Sequence, residues 1–257
     1  MRISFNQPAF IPWGGFFARL LHSDKMVLLD DTLLARGFTF VKRNRIKGPS
    51  GEVWLTVPLK RKGRGRQKIM DLEIYEKGPW AKKFLLTLRH FYGNSVYFGP
   101  IHEKFQTAVE TPGDSFLNII LELLNIIKKA LDIDTEIILQ SKIAITGKGT
   151  PLLVSIAKEL KAGEVILPFL SEKHIDCHQF KKENMAVRLL RYSPPQYPQF
   201  WGDFIKNLSA LDLLLCCGKD GRDIIEKGAY LYELETPKRT PIPACPRLKM
   251  PRRGWPG

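Results

Sequence analysis

The beginning of the chain has the pattern of a strand, a loop, a helix and a second strand. Residues 2–6 alternate in polarity as a short strand does, and residues 16–24 place apolar side chains at helical spacing. Residues 25–31 form an apolar run that ends in two acids, which is typical of a strand buried on both faces of a parallel sheet. Parallel strands joined by a helix form a right-handed βαβ unit, so this pattern restricts the chain to α/β folds.

The same periodicities predict further strands and helices along the chain. A turn signal at residues 48–51 lies within a basic β-hairpin over residues 38–60. A second βαβ-like pattern covers residues 146–170, where a glycine-containing loop precedes an amphipathic helix and an apolar strand. The other expected elements are strands over 69–74, 136–142 and 185–192 and helices over 79–93, 112–131 and 208–218.

These elements predict one Rossmann-like α/β domain over residues 1–236, with a mixed, mostly parallel sheet flanked by helices. The basic β-hairpin is an insertion in this domain. From residue 237 the chain is rich in proline and basic residues and has little apolar pattern. We therefore predict a disordered C-terminal tail over residues 237–257.

The positive charge of the chain, formally +14, is concentrated in two segments. Residues 36–68 contain eleven Lys or Arg and a single acid, and the tail contains six and none. A concentrated basic surface attracts phosphates or polyanions such as RNA. A solvated basic face that aids solubility explains the same composition, so both interpretations stay open.

Cysteine usage and hydropathy predict a cytoplasmic protein without a membrane span. The four cysteines are poorly spaced for disulfides, and the adjacent Cys216 and Cys217 rarely bridge because the ring is strained. Reduced thiols are therefore expected. The longest apolar runs are too short to cross a membrane, and the N-terminus lacks the apolar core of a signal peptide.

The loop between the first strand and the first helix, NQPAFIPWGGFF (residues 6–17), is unusually apolar and rich in Pro and Gly. In open α/β sheets, ligands bind at the carboxyl ends of strands, which is where this loop lies. We predict that its prolines, glycines and phenylalanines form a rigid scaffold. We expect Asn6, Gln7 and Trp13 to face a ligand.

Two acids, Asp30 and Asp31, end the second predicted strand at the same edge of the sheet. Either is a candidate catalytic residue, as a general base or as the group that binds the acceptor, if its pKa and geometry allow it. A helix cap or an ion pair with a nearby arginine explains these acids equally well.

The hairpin carries the sequence KRNRIK (residues 42–47). In an extended strand, Arg43, Arg45 and Lys47 lie on one face, with Asn44 between them. Three converging cations suit a phosphate or pyrophosphate, because arginine offers bidentate contacts. An RNA backbone is an equally suitable ligand.

Two other motifs give weaker signals. The GKGT loop (residues 147–150) precedes a helix whose N-terminus can hold a phosphate, although the Walker A and GxGxxG patterns are absent. His174, Cys177 and His178 have ligand atoms at helical spacing but lack a matching fourth zinc ligand. We therefore predict no metal site.

Several of these stretches together resemble the WbqC-like protein family over residues 3–228. They are QPAFIPWGGFF, LLDD, RNRIKGPSGEVWLTVPL, PWAKKFLLTLRHFYG, SKIAITGKGTPLLVSIAKEL and QYPQFWGDFIKNLSALDLLLCCG. The chain departs from the family pattern at Asn6 and Pro194, where the family has histidine, and at Phe10, where it has tyrosine. A mechanism that uses either histidine as a general base is therefore not expected here.

The resemblance implies a transferase in bacterial surface-polysaccharide (O-antigen-type) biosynthesis, because family members are typically encoded with such genes. The implied substrate is a nucleotide-linked or phosphorylated sugar, and acyl or aminoacyl transfer or a nucleotidyltransferase-like reaction is the implied chemistry. In this hypothesis the hairpin cations hold the phosphates and Trp13 stacks on a base or sugar. Tyr197 and Gln199 approach from the C-terminal half. The implied cofactor or ligand is a nucleotide or nucleotide-sugar.

Two alternatives from other functional classes stay open. The basic segment over residues 36–68 favours a nucleic-acid-binding protein, whose affinity for RNA falls steeply with salt. The missing histidines favour a non-catalytic scaffold within a biosynthetic complex.

Overall fold

A six-stranded sheet forms the centre of the protein in the computed structural model, which describes residues 1–37, 39–169 and 171–233. The strands in chain order are β1 (Arg2–Asn6), β2 (Lys25–Leu28), β3 (Arg43–Gly48), β4 (Gly51–Thr56), β5 (Glu136–Leu139), β6 (Glu164–Pro168), β7 (Ala186–Tyr192) and β8 (Ala229–Glu233). The order in the sheet is β5-β2-β1-β6-β7-β8. β8 is antiparallel to β7, and the other neighbouring pairs are parallel. β3 and β4 form a separate antiparallel hairpin.

Helices pack on both faces of the sheet. They are α1 (Gly14–His22), α2 (Lys77–Tyr92), α3 (Phe98–Glu110), α4 (Phe116–Ala130), α5 (Gln140–Ile143), α6 (Gly149–Glu159), α7 (Cys177–Lys182), α8 (Ala210–Cys217) and α9 (Gly221–Lys227), with short 3-10 helices at Ile69–Asp71, Ser171–Lys173 and Gly218–Asp220. Within the described ranges, no helix is both long and apolar enough to cross a membrane. The predicted α/β class, the mostly parallel sheet and the inserted hairpin are confirmed.

Two hydrophobic cores lie on opposite faces of the sheet. Met26, Leu28 and Ile166 belong to the core that includes side chains of α1, α4 and α8. Val27 and Leu167, which alternate with them, belong to the core that includes side chains of α6 and α7. Because the central strands are buried on both faces, successive positions are apolar, and this explains the unbroken apolar runs of the sequence.

The direction in which the sheet grows reverses between β1 and β6. From β1 the chain passes through α1 to β2, and β5 extends the sheet further on that side. The chain then returns through α6 to β6, on the other side of β1, and β7 and β8 follow. At such a switch point, the connections that leave neighbouring strands diverge and open a crevice at the carboxyl edge of the sheet.

The predicted strand over residues 69–74 is wrong. Instead, Ile69–Asp71 form a 3-10 helix, and its first N–H donates to the carbonyl of Thr32, beyond the end of β2. Leu72 and Ile74 are buried. The alternation that suggested a strand therefore reflects burial of a segment that packs across the strand ends, and periodicity over six residues does not distinguish the two cases.

Some elements are not predicted from the sequence, and some predictions lie outside the described residues. The patterns miss α3, α9 and β8, although α3 buries apolar side chains at helical spacing, namely Phe98, Ile101, Phe105 and Val109. The predicted tail over residues 237–257 and the predicted domain end at 236 lie beyond residue 233, where the description of the structure ends.

Ion pairs anchor the long connection between β4 and α2. Glu73 accepts hydrogen bonds from Arg64 at 2.8 Å and from Lys60 at 3.0 Å, and Lys60 also pairs with Asp114 at 2.7 Å. The hydrogen bonds from Arg64 and then Lys60 lower the pKa of Glu73 to about 2. The carboxylate therefore stays charged well into the acid range.

Replacing Glu73 by Gln should lower the melting temperature at neutral pH and have no effect near pH 2. The folded-state pKa lies below the ordinary value of 4.5, so the stabilisation is present above pH 4.5 and is lost as the pH falls towards about 2. Melting temperatures of wild type and E73Q across this range measure the effect, with the exposed Glu122→Gln as control. A wild-type-to-variant difference that does not change with pH would contradict the ion-pair explanation.

Candidate functional site

A pocket of about 400 Å³ lies at the carboxyl ends of β6 and β7, beside the start of α1. Its lining residues are Trp13, Arg19, Pro168, Phe169, Leu190, Arg191 and Tyr192. This is the crevice that the reversal of strand order opens, and we call it the switch-point pocket. A larger pocket of about 560 Å³ lies between α2 and α3, but none of the predicted site residues lines it. We therefore regard the switch-point pocket as the candidate functional site.

Arg19 is the charged group buried in the wall of this pocket, with 4 % of its surface exposed. Its Nη1 donates to the Gly15 carbonyl at 3.1 Å and its Nη2 to Asn6 Oδ1 at 2.6 Å. Its Nε has no hydrogen-bond partner, and no acid of the described chain pairs with it. Burial lowers the pKa of Arg19 to about 10, so the guanidinium stays charged at neutral pH. A buried cation with neutral partners alone is costly, and a bound anion would offset that cost.

Sequence reasoning missed Arg19, although the sequence contains a signal for it. In α1, Phe16, Phe17 and Leu20 form the buried face, and Arg19 lies three residues after Phe16 on the same face. A basic residue on the apolar face of a helix is rare unless it has a partner. The helical spacing alone therefore marks this position as a candidate.

Asn6, which we expected to face a ligand, positions Arg19 instead. It ends β1, and its Oδ1 accepts the Arg19 hydrogen bond while its Nδ2 donates to the Gln7 carbonyl at 2.6 Å. The amide is thus oriented by the backbone and holds the guanidinium beside the strand ends.

Trp13 and Tyr192 form an aromatic wall of the switch-point pocket, and the predicted contact of Trp13 with a ligand stays a prediction. Their rings meet edge to face with centroids 5.4 Å apart. The glycines of the loop make room for them: a Cβ on Gly14 would lie 2.7 Å from Tyr192 Cζ, and one on Gly15 would lie 2.6 Å from the Trp13 ring. At the other wall, the Arg191 guanidinium lies 5.6 Å from the centre of the Phe169 ring.

The loop before α1 is held by contacts from both the hairpin and α8. Ile11 has a φ of 37°, which is strained for a β-branched residue. Its carbonyl accepts hydrogen bonds from Asn44 Nδ2 at 2.9 Å and from Ser209 Oγ at 2.7 Å. These two contacts offset a strain of roughly 1–3 kcal/mol and fix the path that leads to Trp13. Asn44 is therefore a buried structural residue of the site.

Asp30 and Asp31 lie at the carboxyl end of β2, and neither lines the switch-point pocket. Asp30 is fully buried and accepts hydrogen bonds from the Ser141 N–H at 3.0 Å and the Ser141 hydroxyl at 2.6 Å. It therefore ties the end of β2 to α5. Asp31, whose side chain is 11 % exposed, pairs with Lys68 at 2.5 Å.

Gln7 lies between these acids and the pocket. Its Nε2 donates to the Thr32 hydroxyl at 3.0 Å, and that hydroxyl donates to the Leu29 carbonyl at 2.7 Å. Gln7 thus joins the loop after β1 to the loop after β2. The structure brings Asn6, Gln7 and the two acids to one edge of the sheet, as the strand pattern predicts.

The hairpin cations make contacts within the protein. Arg43 and Arg45 lie over the Trp54 ring, 4.9 Å and 5.5 Å from its centre. Arg45 also pairs with Glu52 at 2.6 Å and donates to the Asn207 carbonyl at 3.0 Å. Their predicted role as phosphate ligands stays a prediction, and in this structure Arg45 attaches the hairpin to the segment that precedes α8.

Lys47 is buried with three neutral acceptors. Its Nζ donates to Gln199 Oε1 at 3.1 Å, to the Gly202 carbonyl at 3.2 Å and to the Asp203 carbonyl. It is 1 % exposed. An ammonium group that is enclosed in this way has no free surface for a ligand phosphate, so in this arrangement Lys47 acts as an internal connector.

Next to Lys47, the carboxylate of Asp212 is fully buried between two tyrosines. It accepts hydrogen bonds from the Tyr92 hydroxyl at 2.5 Å and the Tyr197 hydroxyl at 2.8 Å. Burial raises the pKa of Asp212, and these hydrogen bonds oppose the rise. Burial and the nearby Asp212 also raise the pKa of the Cys216 thiol to about 12, so the thiol stays protonated at neutral pH.

The structure therefore brings the predicted residues Lys47, Tyr197 and Gln199 together, but inside the protein. Asp212 and Tyr92, which complete this polar cluster, are not among the predicted residues. For Asp212, the sequence signal is an acid within the otherwise apolar helix α8. The cluster joins the hairpin, α2 and α8 into one body.

The weaker motifs contribute no further site. Thr150 of the GKGT loop is buried, and its Oγ1 accepts a hydrogen bond from the Asp176 N–H at 2.9 Å. Among the described residues, no group of three His, Cys, Asp or Glu side chains is arranged to hold a metal.

The fold and the pocket define an α/β protein with a candidate ligand site at the switch point of its sheet. A family model described as the WbqC-like protein family matches residues 7–224, and the chain belongs to this family. It is similar to the protein named "Uncharacterized protein Rv1507c" of Mycobacterium tuberculosis (strain ATCC 25618 / H37Rv), with 27 % identity over 226 residues, which cover 87 % of this chain and 97 % of that protein. No solved structure gives a significant match.

Replacing Lys47 by Met should lower the free energy of unfolding by about 2–4 kcal/mol, because it leaves buried acceptors without their donor. Urea unfolding measures the change. The exposed Lys62→Met is the matched control, and its effect should stay within about 0.5 kcal/mol. A loss below about 1 kcal/mol for K47M would show that the enclosed ammonium does not stabilise the fold.

Replacing Gly14 by Ala should destabilise the protein by about 1–3 kcal/mol, because the new methyl group overlaps the Tyr192 ring. Gly78→Ala in α2 is the control: a Cβ there meets nothing within 4 Å, so that variant should be neutral or more stable. A double-mutant cycle with Tyr192→Ala should give a favourable coupling between the two substitutions. Additive effects would mean that the ring does not set the requirement for glycine.

Proposed function

We propose that the protein is a transferase of bacterial surface-polysaccharide biosynthesis, and that it binds a nucleotide-linked or phosphorylated sugar in the switch-point pocket. The observation that carries this proposal is Arg19, a buried guanidinium at the strand ends with neutral hydrogen-bond partners. Membership of the WbqC-like family supports the biosynthetic assignment.

The ligand class follows from the charge and size of the pocket. A guanidinium that has lost its hydration and has no acid partner binds a phosphate or carboxylate oxygen strongly. Arg191 adds a second cation to the lining. A volume of about 400 Å³ is that of a small-molecule site, and it suits the sugar phosphate portion of a larger donor.

The aromatic walls suit the neutral part of the same ligand. Sugars and bases present flat or apolar faces that pack on aromatic rings. Trp13, Phe169 and Tyr192 supply such rings on two sides of the pocket. Burial raises the pKa of the Tyr192 hydroxyl, so it stays protonated and is available as a donor near the start of α1.

Among the predicted acids, Asp31 is better placed than Asp30 to act on an acceptor. Both oxygens of Asp30 accept hydrogen bonds from Ser141, and the side chain is sealed. Asp31 keeps part of its surface exposed and pairs with the Lys68 ammonium. We propose it as a general base or acceptor-binding group for acyl or aminoacyl transfer.

Arg19→Met should weaken ligand binding without reducing the stability of the unliganded protein. Removal of an unpaired buried charge is neutral or stabilising, whereas loss of a charge-assisted phosphate contact costs about 1.5–3 kcal/mol, or roughly ten- to a hundred-fold in affinity. Thermal shifts with UDP-, dTDP- and GDP-sugars at millimolar concentration measure both effects.

The control is the exposed Arg89→Met on α2, which should keep the shift of the wild type. A sugar nucleotide at a hundred times its Kd should stabilise the wild type by about 2.7 kcal/mol. The proposal fails if none of these compounds stabilises the wild type, or if R19M responds as the wild type does.

A further inference from the structure

A second cationic pocket lies away from the switch-point pocket, between the loop after β2 and the loop after β4. Its volume is about 310 Å³. Its lining residues are Leu34, Ala35, Arg36, Arg61, Gly65, Arg66, Gln67 and Leu72. We call it the arginine pocket. The two pockets have no lining residue in common.

The three arginines of this pocket differ from the other cations of the same segment. Lys60 and Arg64 pair with Glu73, and Lys68 pairs with Asp31. By contrast, the side chains of Arg36, Arg61 and Arg66 have no ion pair or hydrogen bond with any described residue. Glu73 and Asp31 are thus paired with the neighbouring cations, and no acid is among the lining residues of the pocket.

Further cations lie beside the pocket. Burial, and then the Arg61 and Arg43 guanidinium groups, lower the pKa of Lys42. Like charges that are gathered without counter-charges repel each other, which destabilises the fold unless an anion binds there. The basic segment that the sequence singled out therefore contains a defined concave site as well as a solvated surface.

The backbone holds the two loops in fixed relation, so the arginines are presented together. The Leu34 N–H donates to the Gln67 carbonyl at 3.0 Å, and the Ile69 N–H donates to the Thr32 carbonyl at 2.9 Å. Leu33 and Lys68 form an isolated β-bridge between the same loops. Arg36 comes from one loop and Arg61 and Arg66 from the other, and both loops line one cavity.

We infer that the arginine pocket is a binding site for a small ligand that carries a phosphate or pyrophosphate group. Guanidinium groups match the geometry of phosphate oxygens and bind them bidentately. The pocket is lined by three arginines and is too small for more than one compact group, which favours a pyrophosphate over an extended nucleic-acid backbone. This inference does not depend on the proposed transferase activity.

The test uses inorganic pyrophosphate, and isothermal titration calorimetry at low ionic strength measures its binding. The proteins compared are the wild type and the variants Arg36→Gln, Arg61→Gln and Arg66→Gln. Each substitution should weaken binding by roughly ten- to a hundred-fold, and melting temperatures show that the variants are folded. The matched control is Lys62→Gln, in the same loop but outside the lining of the pocket, and it should bind as the wild type does.

Two further experiments distinguish the arginine pocket from the switch-point pocket and from a general polyanion surface. In the R19M background, which removes the buried cation of the switch-point pocket, the three arginine-pocket substitutions should still weaken pyrophosphate binding, so the two proposals fail independently. A single-stranded RNA is titrated at several salt concentrations. If pyrophosphate does not bind at millimolar concentration, the inference is wrong. It is also wrong if K62Q weakens RNA and pyrophosphate binding as much as the arginine variants do, because the segment is then a general polyanion surface.

Discussion

The parallel pairing of β1 with β2 on one side and with β6 on the other determines where the other features lie. Parallel neighbours need crossover connections, and these connections pack helices on both faces of the sheet. Because the order reverses at β1, the loops after β1 and β6 separate and leave a crevice. The hairpin and α8 then hold the first of these loops through Asn44 and Ser209, which gives the crevice a rigid aromatic wall.

The buried charges of the protein fall into two kinds. Lys47 has three neutral oxygen acceptors, and Asp212 has two tyrosine hydroxyl donors, so both are well solvated by the protein and join the hairpin, α2 and α8. Arg19 has two neutral acceptors and a free Nε beside a pocket. Buried charges of the first kind, whose hydrogen bonds are satisfied within the protein, hold neighbouring elements together. The second kind is costly without a ligand, so Arg19, and not Lys47, marks a candidate binding site.

Sequence reasoning places the candidate site residues at one edge of the sheet, and the structure adds the contacts that each of them makes there. Trp13 is predicted at the ligand site and lines the pocket. Asn6 is predicted to face a ligand, and in the structure its side-chain oxygen accepts a hydrogen bond from Arg19, which the sequence patterns do not single out. Lys47, Tyr197 and Gln199 are predicted as one group and do lie together, but facing inward. Alternation along a strand gives the face of a side chain and does not say whether that face meets solvent, ligand or protein.

The βαβ order, the hairpin, the principal helices and the basic segments can be predicted from the sequence, because they follow from local periodicity, turn chemistry and composition. Which charges have partners cannot be predicted in this way. Arg64 and Lys68 meet acids, whereas Arg36, Arg61 and Arg66 line an open pocket that has no acid among its lining residues. An ion pair depends on separations of a few ångströms between residues far apart in sequence, and only the folded chain fixes those distances.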